Sequence, residues 1–508
     1  MEMKEKQLLK ELNKIGIALS AEKDIDKLLE IILEESMKIT SSDGGSLYIK
    51  EKFEGDDYLQ FKITRNKSRR FPFKEFLLPM DKNSISGYVS ITGESLNLKD
   101  VRKIPHELGL RHNESFEKQI DYKIVNMLVI PMKDYKGEIV GVLQLLNKKK
   151  EYDMKLGEPE TIPESIIEYT KDEEEIILSL ASQAAILLER TKLYDEIQKL
   201  FQSFTEAMVT TLDARDTTTS GHSRRLAGYA IEFAKVINKI DYGRYKEFKF
   251  SEEEIREIYY AALLHDVGKI GVNEGILLKK NRLSDEKMET IKYRFNYLKK
   301  KLELSNILDE ISETEKKILS DIDLYYQFIT EINQKGFINE IEEEKISKIA
   351  SIEFIDVDGK LTNLLNEFEA ENLMIKRGNL TDEERAEMNL HVTYSYEILK
   401  GIIWTEDLKN VPEIAGSHHE KIDGSGYPKG IKEEEISIQA KMLAILDIFE
   451  ALTARDRPYK PPMPVEKAID ILKSEVELQH LDKELYDIFV KERIFELYKE
   501  ELNRVVRI

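Results

Sequence analysis

Residues 259–272 read "YYAALLHDVGKIGV", an apolar run that ends in a histidine, an aspartate and a glycine-lysine pair. Ser251 and Glu254 stand three apart just before it, the spacing of a capping box. A helix is therefore expected to start there and run along an apolar face to His265 and Asp266. Lys269 follows His265 by four residues and Asp266 by three, which puts it on the same side if the turn continues. Gly268 lets a backbone or a ligand approach closely. A carboxylate at the buried end of such a helix is costly unless something pairs with it. This stretch sets the C-terminal half as helical and places its chemistry.

The same tension recurs downstream. "IQAKMLAILDIFEALTA" (438–454) buries Asp447 in an otherwise apolar helix. Thr381 with Glu384 caps a further helix that delivers His391. "HHEKIDGSGYPKG" (418–430) holds two adjacent histidines. Neighbours on a regular helix diverge by about 100°, so His418 and His419 can share a site only where the helix is breaking. The glycines let the following loop fold tightly, and Pro428 stiffens the turn.

Five of the eight histidines lie in these contexts: His222, His265, His391, His418 and His419. The chain has no cysteine, so any metal must sit on nitrogen and oxygen ligands. Five histidines and two buried carboxylates make a polynuclear metal centre the economical reading.

At 508 residues the chain is too long for one ordinary core, and two or three domains are expected. Its 77 Lys and Arg against 97 Asp and Glu give a net charge of −20, which argues against a long nucleic-acid polymer as partner. A small anionic ligand needs only a local basic pocket. No run of about 18 apolar residues appears, so no membrane span is expected. The charged, helix-like N-terminus lacks the apolar stretch of a signal peptide, and a cytoplasmic protein is expected.

Three segments follow an N-terminal helix at 1–21. Residues 22–190 read as mixed α/β. The helical "DIDKLLEIILEESMKIT" leads into "GGSLYIK", and Leu59, Phe61 and Ile63 alternate with polar residues as in a half-buried strand. "NMLVIPMKDYKGEIVGVLQLLN" reads as strand, turn, strand. A closing helix continues into a connecting helix at 191–212, where Leu193, Ile197, Leu200, Phe204 and Ala207 form a heptad stripe. That stripe favours a signalling helix in a homodimer over packing on a neighbouring domain. Residues 205–508 read as almost entirely helical. Within them 277–295 echoes 373–392, with Arg294 opposite His391, and an inserted helical hairpin is expected at about 296–372.

The order of elements in 22–190 resembles a GAF domain, a small-ligand sensor fold whose ligand here is unknown. Some cyclic-nucleotide-binding members carry an Asn-Lys pair, an aromatic and an acidic pair. Asn147, Lys148, Tyr169 and Asp172-Glu173 follow that order at altered spacing, but read better as a strand end and an acidic helix start.

"HDVGK" (265–269), "HHEKIDGSGYP" (418–428) and "DIFEALTARDRPYK" (447–460) together resemble the HD-GYP family. These are metal-dependent phosphodiesterases of the HD superfamily that hydrolyse cyclic di-GMP. The resemblance implies His222, His265, Asp266, His391, His418, His419 and Asp447 as ligands of divalent ions, iron or manganese, with Asp266 bridging. It implies Lys269, Arg457 and Lys460 as partners of substrate phosphates, and Gly426, Tyr427 and Pro428 as the substrate-facing loop. The implied reaction is metal-assisted attack of water on phosphorus with the 3′-oxygen leaving and Lys269 stabilising charge or helping protonate it. The products are pGpG and then GMP. Family members with three ions carry a glutamate four residues before the position of His222. This chain has Thr218 there, a poor ligand for a hard cation, with Asp216 and Asp213 nearby, so two ions are expected. A receptor that binds without cutting, and a phosphodiesterase for another cyclic dinucleotide such as cyclic GMP-AMP, remain open at this point.

Overall fold

The computed structural model describes residues 12–19, 21–22, 24–69, 75–112, 114, 117–118, 121–216, 221–454 and 462–497. Of the expected N-terminal helix, residues 12–19 lie within it and are helical. The chain divides into two compact units, 1–201 and 202–508.

The first unit is built on helix α1 (Ile25–Thr40), which Asp24 caps by accepting from the amides of Asp26 and Lys27. Leu28, Leu29, Ile32 and Leu33 give α1 one apolar face. Six antiparallel strands follow: β1 (Ser42–Phe53), β2 (Asp56–Asn66), β3 (Phe76–Pro79), β4 (Leu96–Leu98), β5 (Met127–Lys133) and β6 (Ile139–Lys148). Their order in the sheet is β3-β2-β1-β6-β5-β4. Side chains alternate along each strand, so the sheet buries both faces. Leu47, Ile63 and Leu143 pack with α1 and with Ile177, Leu180 and Ala184 of a later helix. Tyr48, Phe61 and Val142 pack on the other side with helix α2 (Ile85–Thr92). The β5–β6 turn is the expected "DYKGE", closed by Asp134 accepting from the amides of Lys136 and Glu138.

The Asn147, Lys148 and Tyr169 positions are occupied internally. Asn147 bonds the backbone at Lys123 and Val125, Lys148 Nζ pairs with Glu173 at 2.5 Å, and Tyr169 bonds Ser42. Asp172 is exposed.

The expected closing and connecting helices are one continuous helix, α3 (Lys171–Arg215), which runs through the division between the units. Leu193, Ile197, Leu200 and Phe204 on it are between 46% and 69% exposed.

The second unit has helices α4 (His222–Ile237) and α5 (Glu252–Leu264) packed on each other. The capping box of α5 is present, but the helix stops at Leu264 and residues Val267–Gly271 form a 3-10 turn. The expected continuation through Lys269 is therefore replaced by a tighter turn.

A subdomain with its own core follows. Helices α6 (Asp285–Ile307), α7 (Glu313–Gln334) and α8 (Glu340–Ala350) precede a small hairpin, β7 (Glu353–Ile355) and β8 (Leu361–Asn363), and helix α9 (Glu367–Leu373). Ser284, Ser312, Asn339 and Asn366 cap these helices. One core, from Leu283 to Leu373, holds it together, including Ile291, Phe295, Ile322, Ile329 and Leu364. It is thus wider than 296–372 and more than a helical hairpin. The boundary at 296 falls inside α6, because the strong cap lies upstream at Ser284. Arg294, opposite His391 in the sequence echo, pairs with Glu369 inside this core.

The chain returns with α10 (Asp382–Lys400), whose Thr381–Glu384 capping box is present, then α11 (Val411–Ala415), α12 (Ile438–Thr453), α13 (Val465–Glu477) and α14 (Lys483–Lys491). Phe233 of α4, Phe449 of α12 and Phe489 of α14 meet in an aromatic cluster that fixes α12 beside α4.

Candidate metal centre

Four local devices deliver the histidines. His222 opens α4. His265 and Asp266 follow the last residue of α5. His391 lies midway along α10, and His418 and His419 sit in the turn after α11, where the helix has broken as expected. Gly268 brings these together: a Cβ there would lie 2.0 Å from the carbonyl oxygen of His391 and 2.3 Å from the Ser395 amide. The close approach is thus by the α10 backbone rather than by a ligand, and Ser395 Oγ accepts from the Gly268 amide at 2.8 Å.

Three of the imidazoles are oriented alike. Nδ1 of His265, His391 and His418 donates to the carbonyl three residues earlier, on Ala262, Met388 and Ala415, at 2.8, 2.7 and 2.6 Å. A carbonyl only accepts, so Nδ1 carries the proton and Nε2 presents a lone pair. The Nε2 atoms of His391 and His418 are buried without a hydrogen-bond partner. Orphaned, unprotonated, convergent nitrogens suit a metal ion, and backbone bonds at the other nitrogen are the usual way such ligands are held.

Two groups of residues, His391–His418–His419 and His222–His265–Asp266, each bring their potential ligand atoms within 4.8 Å of one another. Asp266 joins them: Oδ1 is 3.3 Å from His391 Nε2 and Oδ2 is 3.3 Å from His265 Nε2. Asp447 spans them too, with Oδ1 3.1 Å from His222 Nε2 and Oδ2 3.9 Å from His419 Nδ1. All seven expected ligand residues therefore converge, and the donor set of imidazoles and carboxylates fits divalent first-row metals.

Burial drives the imidazole of His391 down, that of His419 down to about 4, and that of His418 well below its ordinary value. All three stand neutral and ready to coordinate. Burial also disfavours a charged His222, but its bonds to Asp447 and Glu450 outweigh that and push it up to about 10. Burial opposes the Asp266 carboxylate, yet Lys269 and His265 hold it well below the usual range. Lys269 Nζ sits 2.8 Å from Asp266 and 3.2 Å from Asp216, on the same side as Asp266 despite the changed turn.

Tyr427 lies beside His419, ring centroids 4.9 Å apart and planes tilted by 36°. Gly426 packs on the backbone of Glu420 and Lys421, and Pro428 is exposed. Arg457, Lys460 and Thr218 lie outside the described residues.

Two further acids matter that the sequence reading passed over. Glu450, one turn after Asp447 in "DIFE", accepts from His222 Nδ1 and, at 2.6 Å, from Arg225 Nε. It turns His222 Nε2 toward the centre, and its spacing of three from Asp447 on an apolar helix was the available signal. Glu420, next to the histidine pair, is buried against the following loop.

Models of known families match at three places. A GAF domain model covers residues 24–188, and two HD domain models cover 219–348 and 369–485. The chain carries a GAF domain and an HD domain. A cyclic di-GMP phosphodiesterase from Thermotoga maritima is 40% identical over 130 residues, 26% of this chain and 33% of that protein. The 3′3′-cGAMP-specific phosphodiesterase 3 of Vibrio cholerae is 38% identical over 100 residues, 20% of this chain and 21% of that protein. Alignment with these curated relatives thus reaches a third of their length at most. A GAF domain/HD domain protein from Geobacter sulfurreducens has a solved structure with 16% identity and a TM-score of 0.24, covering 34% of this chain and 98% of that one. The convergent histidines all belong to the HD domain part of the chain.

Proposed function

We propose that the chain is an HD-GYP phosphodiesterase that hydrolyses cyclic di-GMP, to pGpG and onward to GMP, under control of its GAF domain. The observation that carries this reading is Asp266, with one oxygen toward His391 and the other toward His265. A carboxylate so placed suits two cations held side by side. His222, His265, His391, His418, His419, Asp266 and Asp447 would hold them, iron or manganese on nitrogen and oxygen donors alone. Bound there, such a pair supplies Lewis-acid activation of water and neutralises charge at phosphorus.

The chain's own groups do the rest. Lys269, charged because Asp266 and Asp216 outweigh its burial, offers an ammonium where a phosphate oxygen or the departing 3′-oxygen gains charge. Tyr427 and Gly426 shape the wall beside His419 on which a guanine can lie. Arg457 and Lys460, by their place in the motif, bind the phosphates. The GAF domain takes an unidentified small ligand, and the exposed stripe on α3 joins two copies in a homodimer. Among the described residues no helix is long and apolar enough to cross a membrane.

Curated relatives are named for cyclic di-GMP and for 3′3′-cGAMP, so the substrate is tested on both. Protein purified without oxygen is analysed for metal and assayed with each dinucleotide. Faster hydrolysis of cyclic di-GMP with bound iron or manganese supports the proposal. Tight binding without turnover makes it a receptor, and preference for cyclic GMP-AMP moves the substrate.

A further inference from the structure

Glu420 is 3% exposed, yet both its oxygens end on backbone amides. Oε1 accepts from Lys429 N at 2.7 Å and Oε2 from Ile431 N at 3.2 Å. A buried carboxylate is tolerable only with such charge-assisted bonds. The two amides lie just beyond Tyr427 and Pro428, so one side chain ties the outgoing arm of the loop to its start. Gly426 completes the fit, because a Cβ there would lie 2.3 Å from the Lys421 amide and 2.5 Å from Glu420 Cα. The Tyr427 amide donates to His419 O at 3.2 Å, and the tyrosine ring then lies beside the His419 imidazole. The loop has no apolar core of its own: Asp423, Gly424, Ser425 and Gly430 carry it, and Pro428 faces solvent. Its shape therefore depends on a few polar bonds, of which the Glu420 pair is the only one made by a buried side chain to its far arm among the described residues.

We infer that Glu420 is a positioning residue for substrate: it fixes the 424–430 loop so that Tyr427 stays against His419 and presents its wall to the dinucleotide. This rests on the function proposed above. A glutamine in its place would turn an NH2 toward one of the two amides, donor facing donor, so the near-isosteric change breaks the tie.

The test uses the full-length, metal-loaded protein and Glu420→Gln. Hydrogen exchange should quicken at least about tenfold in peptides covering 427–433 while α10 and α12 are unaffected. With cyclic di-GMP, KM should rise about tenfold or more, kcat should change less than about threefold, and metal per chain should not change. In a Tyr427→Ala background Glu420→Gln should add almost nothing to KM, since both act through the same wall. An unchanged KM, a loss of metal, or full additivity with Tyr427→Ala would overturn the inference. If Glu420→Gln does not fold, Glu420→Asp, one methylene too short to reach both amides, is held to the same outcomes. A parent protein that cuts no cyclic dinucleotide refutes the proposed function instead. In that event the exchange arm and the affinity for cyclic di-GMP still decide whether Glu420 holds the binding loop.

Discussion

Lys269 Nζ lies 2.8 Å from Asp266 Oδ2, on the oxygen that also faces His265. The ammonium is therefore beside the candidate metal centre but would be no ligand of it, since a protonated amine has no lone pair to give. Lys269→Ala should lower kcat about 100- to 1,000-fold, on the order of 2.7–4 kcal/mol of transition-state stabilisation. Metal content should change little. Parallel assays of turnover and metal decide this, and equal loss of both would make Lys269 structural.

Asp266→Ala removes the carboxylate placed between the two histidine groups. Hydrolysis should be abolished and bound metal should fall, while circular dichroism stays helical because α5 and α10 retain their apolar packing. Full activity at unchanged metal content would sink the assignment of this site.

Glu450 gives a finer test, because it touches His222 without being placed to meet a metal. Its carboxylate holds His222 Nδ1 and is itself held by Arg225. Loss of such an outer partner typically weakens metal binding about 10–100-fold. Glu450→Gln should therefore release metal at chelator concentrations that leave the parent loaded. Unchanged retention would leave Glu450 a packing residue.

These cases show what the sequence carried. His265, Asp266, His418, His419 and Asp447 could be read because each breaks a local rule: charge on an apolar helix, or paired imidazoles before a glycine-rich loop. His391, on its polar helix, took its assignment from the family resemblance. Strand alternation at Leu59, Phe61 and Ile63 and the caps at Ser251 and Thr381 were equally legible, since both signals are local. Glu420 was not, because a glutamate in a loop is ordinary until its burial is known. Glu450 was passed over, although a second acid three residues after Asp447 on an apolar helix was there to be read. The 3-10 turn at Val267–Gly271 and the small hairpin at Glu353–Asn363 also escaped, being set by tertiary packing rather than by periodicity.

The subdomain from Leu283 to Leu373 has its own core and holds none of the seven proposed ligands. It joins the helices of the site through Lys279, which bonds Asn372 and Glu384, and through Arg282, which donates to carbonyls of Ile332, Ile375 and Gly378. Replacing residues 283–376 with a short Gly-Ser linker, together with Arg282→Ser to remove the guanidinium those carbonyls hold, should leave metal binding intact and alter kinetics or regulation. A folded deletion without metal would mean that the insertion builds the site.

The number of ions is open to a similar argument. With Thr218 in place of a glutamate, a third cation near His222 would need Asp216 or Asp213 as its carboxylate. Neither is idle. Asp216 Oδ2 is 3.2 Å from Lys269 Nζ, and Asp213 Oδ2 accepts from Arg224 at 2.7 Å and from the Gly221 amide at 3.3 Å. Recruiting either would take one of two carboxylate partners from Lys269 or Arg224, leaving Asp266 or Glu206 alone to offset the charge. Two ions per chain are therefore expected, and Thr218→Glu should raise the count toward three by adding a carboxylate four residues before His222. Metal quantification of both proteins checks this. Three ions in the parent would mean that Asp216 or Asp213 has changed partners, and Asp216→Asn would then return the count to two if Asp216 is the one.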